Sequence, residues 1–304
     1  MMHPLDGVLV IDKPLGPTSH DVVARARRAL REKRIGHTGT LDPMATGVLP
    51  LVIGRATRLA TFLSSSEKVY EAGVRLGSAT DTYDAAARLA AGGAPPPAPA
   101  VGREQVEAAL AGFRGTFEQM PPPFSAKKVG GVPAYKLARK NEPTALSPVS
   151  VTVRELTVLS LDDGLLRLEV TSTAGFYVRS LAHDLGVVLG CGAHLESLRR
   201  TRAGAFGLGQ AVTLDDLEQS TDVAAARLVP LSALLPDVPA VRLNERGVKR
   251  TGHGNSVSAE DFAEMGSGPI RSGERVRLLD EAGALLAIAE MGPDGLLRPS
   301  IVLV

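Results

Sequence analysis

Residues 36–47 read Gly-His-Thr-Gly-Thr-Leu-Asp-Pro-Met-Ala-Thr-Gly and carry the strongest signal in the chain. Three glycines stand around one histidine and one aspartate, and glycine lets the backbone bend where other residues cannot and lets a ligand approach closely. Because Pro43 follows Asp42, the aspartate is disfavoured in a helix and adopts an extended or turn conformation. The stretch therefore predicts a tight loop that presents the Asp42 carboxylate. An Asx-turn, in which the aspartate only caps its own backbone, is the alternative.

Size and composition indicate an ordinary globular protein of roughly two domains, because the chain has 304 residues, 44% of them apolar and 22% charged. No apolar run is long enough to span a membrane, and residues 1–6 lack the basic and apolar segments of a secretory signal. The single cysteine, Cys191, has no internal disulfide partner and suits a reducing cytoplasm. No Cys/His cluster has the spacing of zinc ligands, so no metal is expected.

Positive charge is concentrated locally, although the formal net charge is only +1. Between residues 21 and 34, Asp21 and Glu32 are outnumbered by basic residues, namely Arg25, Arg27, Arg28, Arg31, Lys33 and Arg34. Such a patch can contact the phosphates of a nucleic acid without a basic isoelectric point. A solvated helix face is the alternative.

The segments around the loop alternate between strand and helix. Residues 7–12 predict a short buried strand, and Thr18 with Asp21 has the spacing of a capping box at the start of a helix. That helix has one apolar side, formed by Val22, Val23, Ala26 and Leu30. Residues 68–76 alternate in polarity, which predicts a strand with Tyr70 on its apolar face. Tyr70 then lies either in the core or against a cleft.

A second strand-to-helix unit places one arginine in an unusual position. Residues 166–171 alternate as a strand, and Gly175-Phe176-Tyr177 leads into a helix whose first turn contains Arg179. A cation there opposes the helix dipole, which favours anions at the N-terminus. The position of Arg179 therefore favours a carboxylate or phosphate partner over a purely structural role.

The C-terminal part predicts a separate small domain. A boundary lies near residues 234–239, and short strands with turns at 281–283 and 292–295 follow it. Such spacing is typical of a small β-barrel or sandwich. The predicted division is residues 1–235 and residues 236–304.

Four motifs in order resemble the TruB family of tRNA pseudouridine synthases. They are Asp12-Lys13-Pro14-Leu15-Gly16 with Ser19; residues 36–47; Ser125-Ala126-Lys127-Lys128 through Tyr135 and Leu137-Ala138-Arg139; and residues 175–181 with Asp184-Leu185-Gly186. The resemblance covers nearly the whole chain. The chain departs from the family pattern at Met44, where leucine is common, and at Phe124, where tyrosine is common.

The resemblance implies an α+β pseudouridine synthase fold with a mixed, mostly antiparallel sheet, and a small C-terminal PUA-like RNA-binding β-barrel. It implies an isomerase that flips out uridine 55 in the T-loop of tRNA and converts it to pseudouridine by an aspartate-dependent glycosidic rearrangement. The reaction includes no redox or phosphate-transfer step, so no cofactor is expected. We also expect a cytoplasmic monomer, with no membrane attachment and no protein partner.

The resemblance also assigns roles to three catalytic residues. Asp42 matches the essential aspartate, and Arg179 matches the arginine that pairs with it. Tyr70 matches the tyrosine that stacks on the target base and is a candidate to take the proton from its carbon 5, although an unshifted phenol is a poor base at neutral pH. A carboxylate at position 42 can attack the sugar, attack the base or remove a sugar proton. We expect Arg179 to lower the pKa of Asp42 and to keep it ionised.

Four further residues are expected to bind the RNA. His37 matches the histidine that supports the flipped-out RNA conformation, with a local role in its own turn as the alternative. The remaining three match residues that line the pocket: Lys128, Tyr177 and Leu198.

Two other functions stay open at this point. One is an RNA-binding or RNA-folding protein without catalysis. The other is a nucleotide enzyme in which residues 36–47 form a phosphate loop, but such a loop would need a lysine that these residues lack.

Overall fold

The computed structural model describes residues 5–85, 99–125, 127–129, 131–133, 146–265 and 269–304. Residues 5–230 of this part supply the strands β1 (Gly7–Lys13), β2 (Ile35–His37), β3 (Ala45–Ile53), β4 (Lys68–Leu76), β5 (Gly115–Gln119), β6 (Lys128–Val129), β7 (Val132–Pro133), β8 (Val149–Asp162), β9 (Leu165–Ser172), β10 (Ala193–Ala203), β11 (Phe206–Gly207), β12 (Val212–Thr213) and β13 (Val229–Pro230). Their helices are α1 (Ser19–Leu30), α2 (Ala60–Ser64), α3 (Arg103–Leu110), α4 (Val178–Val188), α5 (Leu214–Gln219) and α6 (Thr221–Arg227). A 3-10 helix covers Gly54–Leu59.

These strands form one large sheet, apart from the small β6–β7 hairpin. The sheet has eleven strands in the described ranges, and its main path runs β12-β1-β3-β10-β4-β9-β8-β5. Two pairs are parallel, β1 with β12 and β3 with β10. The other pairs are antiparallel, including the long β4–β10 and β4–β9 ladders at the centre. The expected mixed, mostly antiparallel sheet is confirmed.

The two faces of the sheet are covered differently. One face packs against α1, α3, α4 and α5 through a core that includes Val22, Val106, Leu181 and Leu217. The other face, at β1 and β3, packs against the 3-10 helix and residues of the C-terminal part, among them Ile288. The helix α1 begins as expected, because the Thr18 side chain accepts a hydrogen bond from the backbone N–H of Asp21 and the capping box is complete. Tyr70 of β4 lies on the helix-covered face, as its alternation predicts.

The C-terminal residues form a second sheet. Its strands are β14 (Ala240–Leu243), β15 (Phe262–Met265), β16 (Arg275–Leu279), β17 (Leu285–Met291) and β18 (Leu297–Val302), and α7 (Glu245–Gly252) lies beside it. The strand order is β15-β14-β16-β17-β18. The first sheet ends at Pro230 and the second begins at Ala240. Arg55 joins the two parts by donating to the Leu303 carbonyl at 2.9 Å.

Within the described ranges, no helix is both long enough and apolar enough to cross a bilayer.

Candidate active site

The loop that carries Asp42 is held by hydrogen bonds to its backbone on both sides of the aspartate, two of them from the Ser19 hydroxyl. Ser19, at the start of α1, accepts from the Leu41 N–H at 2.8 Å and donates to the Leu41 carbonyl at 3.0 Å. The Asp42 carbonyl accepts from the Ala45 N–H at 3.0 Å, and the Pro43 carbonyl accepts from the Gly16 N–H at 2.9 Å. A loop fixed at successive residues holds the carboxylate in one direction without using its side-chain oxygens.

Two buried cations lie beneath this loop. Lys13, which has no exposed surface, donates to the Ala45 carbonyl at 2.7 Å and to the Pro14 carbonyl at 2.9 Å. Arg200, 1% exposed, donates from Nη2 to the Gly39 carbonyl at 3.0 Å and from Nε to the Val48 carbonyl at 2.7 Å. The two side chains thereby supply hydrogen-bond donors to loop carbonyl oxygens at Ala45 and Gly39. Buried carbonyl oxygens need such partners where the backbone does not provide them.

Lys13 gives a stability prediction with a defined pH window. Burial lowers the pKa of Lys13 to about 8 from 10.5, against the opposing effect of Asp42. The unfolded chain therefore binds more protons than the folded chain between these pH values, and stability rises with pH across that window. We expect the free energy of unfolding of the wild type, relative to Lys13→Met, to increase by about 3 kcal/mol at most from pH 8 to 10.5. Chemical denaturation at several pH values measures this slope, and a flat difference would contradict it.

Asp42 forms an ion pair with Arg179 at the start of α4. The Arg179 Nε lies 2.9 Å from Asp42 Oδ2, and the side chains are 6% and 36% exposed, respectively. The rest of the guanidinium is occupied, because Nη1 donates to the Thr82 carbonyl at 3.1 Å and Nη2 to the Phe124 carbonyl at 2.9 Å. Nη1 also lies 3.6 Å from Oδ2 of the buried Asp84. The arginine is thus fixed by its surroundings while one face of Asp42 stays open.

The pKa of Asp42 lies above its ordinary value, which corrects the expectation from the sequence. Burial raises this pKa most, and Asp84 acts in the same direction. Arg179 and Lys13 lower it, as a nearby cation must, but they do not outweigh the other two effects. Asp42 is therefore a more basic carboxylate than an exposed aspartate.

A cavity of about 500 Å³ opens over Asp42. Its lining consists of residues 38–42 and 173–179 together with Ser64, Lys68, Tyr70, Lys127, Val149, Leu198 and Arg200. Tyr70 and Leu198 form apolar wall on the strand side, each 9% exposed. The cavity therefore combines one carboxylate with aromatic and aliphatic surface and several cations, a lining that fits a flat, neutral ring attached to an anionic backbone.

Tyr177 is placed by a buried glutamine. Gln119, 1% exposed at the end of β5, accepts from the Tyr177 N–H at 2.8 Å and donates to the Tyr177 carbonyl at 3.0 Å. Burial and Asp42 raise the pKa of Tyr177, while Ser125 and Arg179 oppose them. The phenol therefore stays protonated at neutral pH.

Comparison with known proteins gives the family. Residues 27–178 match the N-terminal domain of the TruB family pseudouridylate synthases, and residues 179–236 match the C-terminal domain of tRNA pseudouridylate synthase B. A tRNA pseudouridine synthase B from Solibacter usitatus is 46% identical over 98% of this chain and 100% of its own length. One from Geobacter sulfurreducens is 43% identical over 94% of this chain and 93% of its own. The chain belongs to the TruB family. It is a pseudouridylate synthase, which is an isomerase.

Solved structures agree with the TruB fold. A chain of a Cbf5-Nop10-Gar1 complex matches with a TM-score of 0.76 and 26% identity, over 99% of this chain and 85% of that one. A chain of an H/ACA RNP bound to a substrate RNA containing 2'-deoxyuridine matches with a TM-score of 0.75 and 26% identity, over 100% and 86%. The α+β pseudouridine synthase fold is confirmed.

The structure brings five of the seven predicted TruB site residues to one cavity. They are Asp42, Tyr70, Arg179, Tyr177 and Leu198. Lys128 begins the β6 strand, but its side chain lies outside the part that the structure describes. The neighbouring Lys127 lines the cavity.

His37 is not among the residues that line the cavity. Its Nδ1 accepts from the Gly39 N–H at 3.4 Å, and its ring meets the His20 ring edge to face at 5.4 Å between centroids. Burial, His20 and Arg200 lower the pKa of His37 to about 4, so the ring is neutral at pH 7. The local turn contact left open from the sequence is present.

Sequence reasoning missed three residues that shape the TruB site. Asp84, Arg200 and Gln119 act through contacts with residues far along the chain, such as Arg179, Gly39 and Tyr177. No local pattern marks Asp84 or Gln119. Arg200 lies two residues after the buried Leu198 on β10, so the alternation of the strand places both side chains on the same buried face. Within the described ranges, no group of three or more His, Cys, Asp or Glu side chains is arranged to hold a metal ion.

Proposed function

We propose that this TruB-family enzyme converts uridine 55 in the T-loop of tRNA to pseudouridine, with Asp42 as the essential catalytic group. The observation that carries the proposal is the ion pair between Asp42 and the buried Arg179, at the base of a cavity that Tyr70 and Leu198 also line. Relatives named tRNA pseudouridine synthase B match nearly the full chain, which supports tRNA as the substrate. The T-loop position rests on the family motifs at residues 36–47 and 175–181.

The reaction is an internal exchange of bonds. The glycosidic bond between N1 of uracil and C1′ of ribose breaks, and a bond between C5 and C1′ forms. The proton on C5 leaves and N1 gains one, so atoms and electrons balance without any co-reactant. The Asp42 carboxylate can serve as nucleophile or as base in this exchange, and its raised pKa makes it a stronger base than an ordinary aspartate. Arg179 fixes the direction of the carboxylate.

The cavity suits a flipped-out base. An enzyme that acts on a stacked base must extrude it, which costs a few kcal/mol. Stacking on an aromatic side chain returns about 1–3 kcal/mol per base, and Tyr70 is the aromatic residue that we assign to this role. Tyr177, Leu198 and Lys128 complete the pocket in this proposal, and His37 supports the RNA at its rim.

We further propose the remaining features expected from the sequence. Residues 1–235 form the catalytic domain and residues 236–304 a PUA-like RNA-binding domain, since the second sheet begins only at Ala240. The enzyme acts as a cytoplasmic monomer without cofactor or metal. The lone Cys191 fits a reducing compartment.

Tritium release tests this function. Wild-type protein is incubated with tRNA transcripts that carry 5-tritiated uridine, and with a matched transcript in which position 55 is cytidine. We expect about one tritium released per wild-type transcript and none from position 55 in the substituted one. Tight binding of both transcripts without release would favour the alternative of an RNA-binding protein without catalysis. Release that persists from the cytidine transcript would place the target outside the T-loop position.

A further inference from the structure

Two residues of helix α4 contact one short segment, residues 82–84. Arg179 and His183 are four residues apart and therefore share a face of the helix. Arg179 donates to the Thr82 carbonyl at 3.1 Å and lies 3.6 Å from the Asp84 carboxylate. One turn later, the His183 ring stacks on the Tyr83 ring, with 3.8 Å between centroids and 11° between planes. The segment is thus attached to α4 at two successive points.

The segment between these points has an unusual backbone. Tyr83 has a φ of +63°, in the left-handed region that residues with a side chain rarely adopt. The Tyr83 carbonyl accepts from the Leu195 N–H and the Ala85 N–H donates to the Leu195 carbonyl, both at 2.9 Å, which ties the segment to β10. Strained conformations persist only where surrounding contacts over-determine them, and they cluster at functional sites. The stack on His183 is one such contact.

Neither ring belongs to the cavity lining. The Nδ1 of His183 is buried and has no hydrogen-bond partner among the described residues. Buried polar atoms are normally paired, so no hydrogen bond at Nδ1 fixes this ring, and the contact that the structure shows for it is the stack on Tyr83. The pair does not contact the cavity, and Arg179 is the cavity residue of α4 that also contacts the segment.

We propose that Tyr83 and His183 are positioning residues, whose stack holds residues 82–84 against α4 and thereby keeps the Arg179 guanidinium directed at Asp42. If the stack is lost, residues 82–84 stay bonded to β10 but are no longer attached to α4 at His183, so the Thr82 carbonyl and the Asp84 carboxylate hold Arg179 less firmly. The Asp42 carboxylate then has a mobile partner. The catalytic consequence rests on the proposed function, but the fixation of Arg179 does not.

Two separate measurements test the positioning role: the kinetic constants of the variants and the hydrogen exchange of the Arg179 side chain. We expect Tyr83→Leu and His183→Leu each to lower kcat about tenfold with KM for tRNA within about twofold, because the cavity lining is intact. The double variant should lose little more than either single variant, since both remove one contact. His183→Phe keeps a ring for stacking and should retain most of the activity.

The Nε–H signal of Arg179 in ¹⁵N NMR measures the fixation without any turnover. In the free wild-type enzyme this proton bonds to Asp42 and should exchange slowly with water. In the two leucine variants we expect exchange at least about tenfold faster. Phe113→Leu is the control, because Phe113 forms another aromatic pair, with 6.0 Å to the Phe117 ring centroid, and neither of these rings lines the cavity. It should lower stability and leave the Arg179 signal and kcat unchanged.

The outcomes separate the two proposals. An inactive wild type overturns the proposed function, and the exchange measurement still decides the role of the stack. Unchanged exchange and kcat in both leucine variants overturn the positioning role. A fall in activity that also appears in Phe113→Leu and in His183→Phe overturns it as well, since general loss of packing would then explain the effect.

Discussion

Replacement of Asp42 by asparagine is expected to lower the single-turnover rate of pseudouridine formation by at least about 10⁴-fold. The amide keeps the shape of the side chain but is neither a nucleophile nor a base. Arg179 remains held by the Thr82 and Phe124 carbonyls and by Asp84, so the cavity should keep its form. We expect tRNA to bind within a few-fold of wild type, as measured by filter binding alongside tritium release.

The same substitution should not destabilise the protein. Burial raises the pKa of Asp42, so the folded state disfavours the charged carboxylate at neutral pH. Removing that charge relieves the penalty, as is common where a site is arranged for activity over stability. Thermal unfolding at pH 7 should show an unchanged or higher midpoint for Asp42→Asn.

Asp6→Asn is the matched control, because Asp6 is bonded to Arg55 with the same Nε–Oδ2 distance of 2.9 Å but lies outside the cavity. It should reduce stability and leave the rate within about threefold of wild type, the usual behaviour of a structural ion pair away from the chemistry. Retention of more than a tenth of the wild-type rate by Asp42→Asn would remove Asp42 from the centre of the reaction.

Local sequence rules were enough for the parts of the site that lie on single elements. The glycine-rich stretch and the Asp42-Pro43 step predict a loop, the alternation of residues 68–76 places Tyr70 on the helix-covered face, and the helix after Tyr177 places Arg179 in its first turn. Each of these follows from backbone preference or periodicity within about ten residues. The family motifs then connect these separate elements to one fold.

The parts that sequence did not predict depend on contacts between distant elements. Gln119 holds Tyr177 across 58 positions, and Arg200 holds Gly39 across 161. No local pattern marks Gln119, and the alternation of β10 indicates only that Arg200 is buried, not which residue it contacts. The prediction that the pKa of Asp42 is lowered was wrong for the same reason. The effect of Arg179 on this pKa could be foreseen from the sequence, but the effects of burial and of the Asp84 charge could not.

Arg179→Met tests that balance of charges and is expected to be the second most damaging substitution. It leaves Asp42 and the buried Asp84 without their shared cation, and breaking a buried pair in this way costs about 3–5 kcal/mol of stability. Because Arg179 lowers the pKa of Asp42, its removal should raise that pKa further. We expect kcat to fall by about 10²–10³-fold, a range typical for the loss of one oriented charge in a site. The acidic limb of the pH–rate profile should move to higher pH.

The sign of the stability change with pH separates this explanation from simple loss of packing. A carboxyl whose folded pKa is raised contributes stability that is present below its unfolded pKa and lost as pH rises through the folded value. The deficit of Arg179→Met relative to wild type should therefore be largest at neutral pH and shrink as the pH falls toward 4, whereas a packing defect would be constant. Asp84→Asn should act in the opposite direction, because it removes a like charge and moves the acidic limb to lower pH. Equal shifts of the limb in both variants, or none, would mean that Arg179 and Asp84 do not set the proton affinity of Asp42.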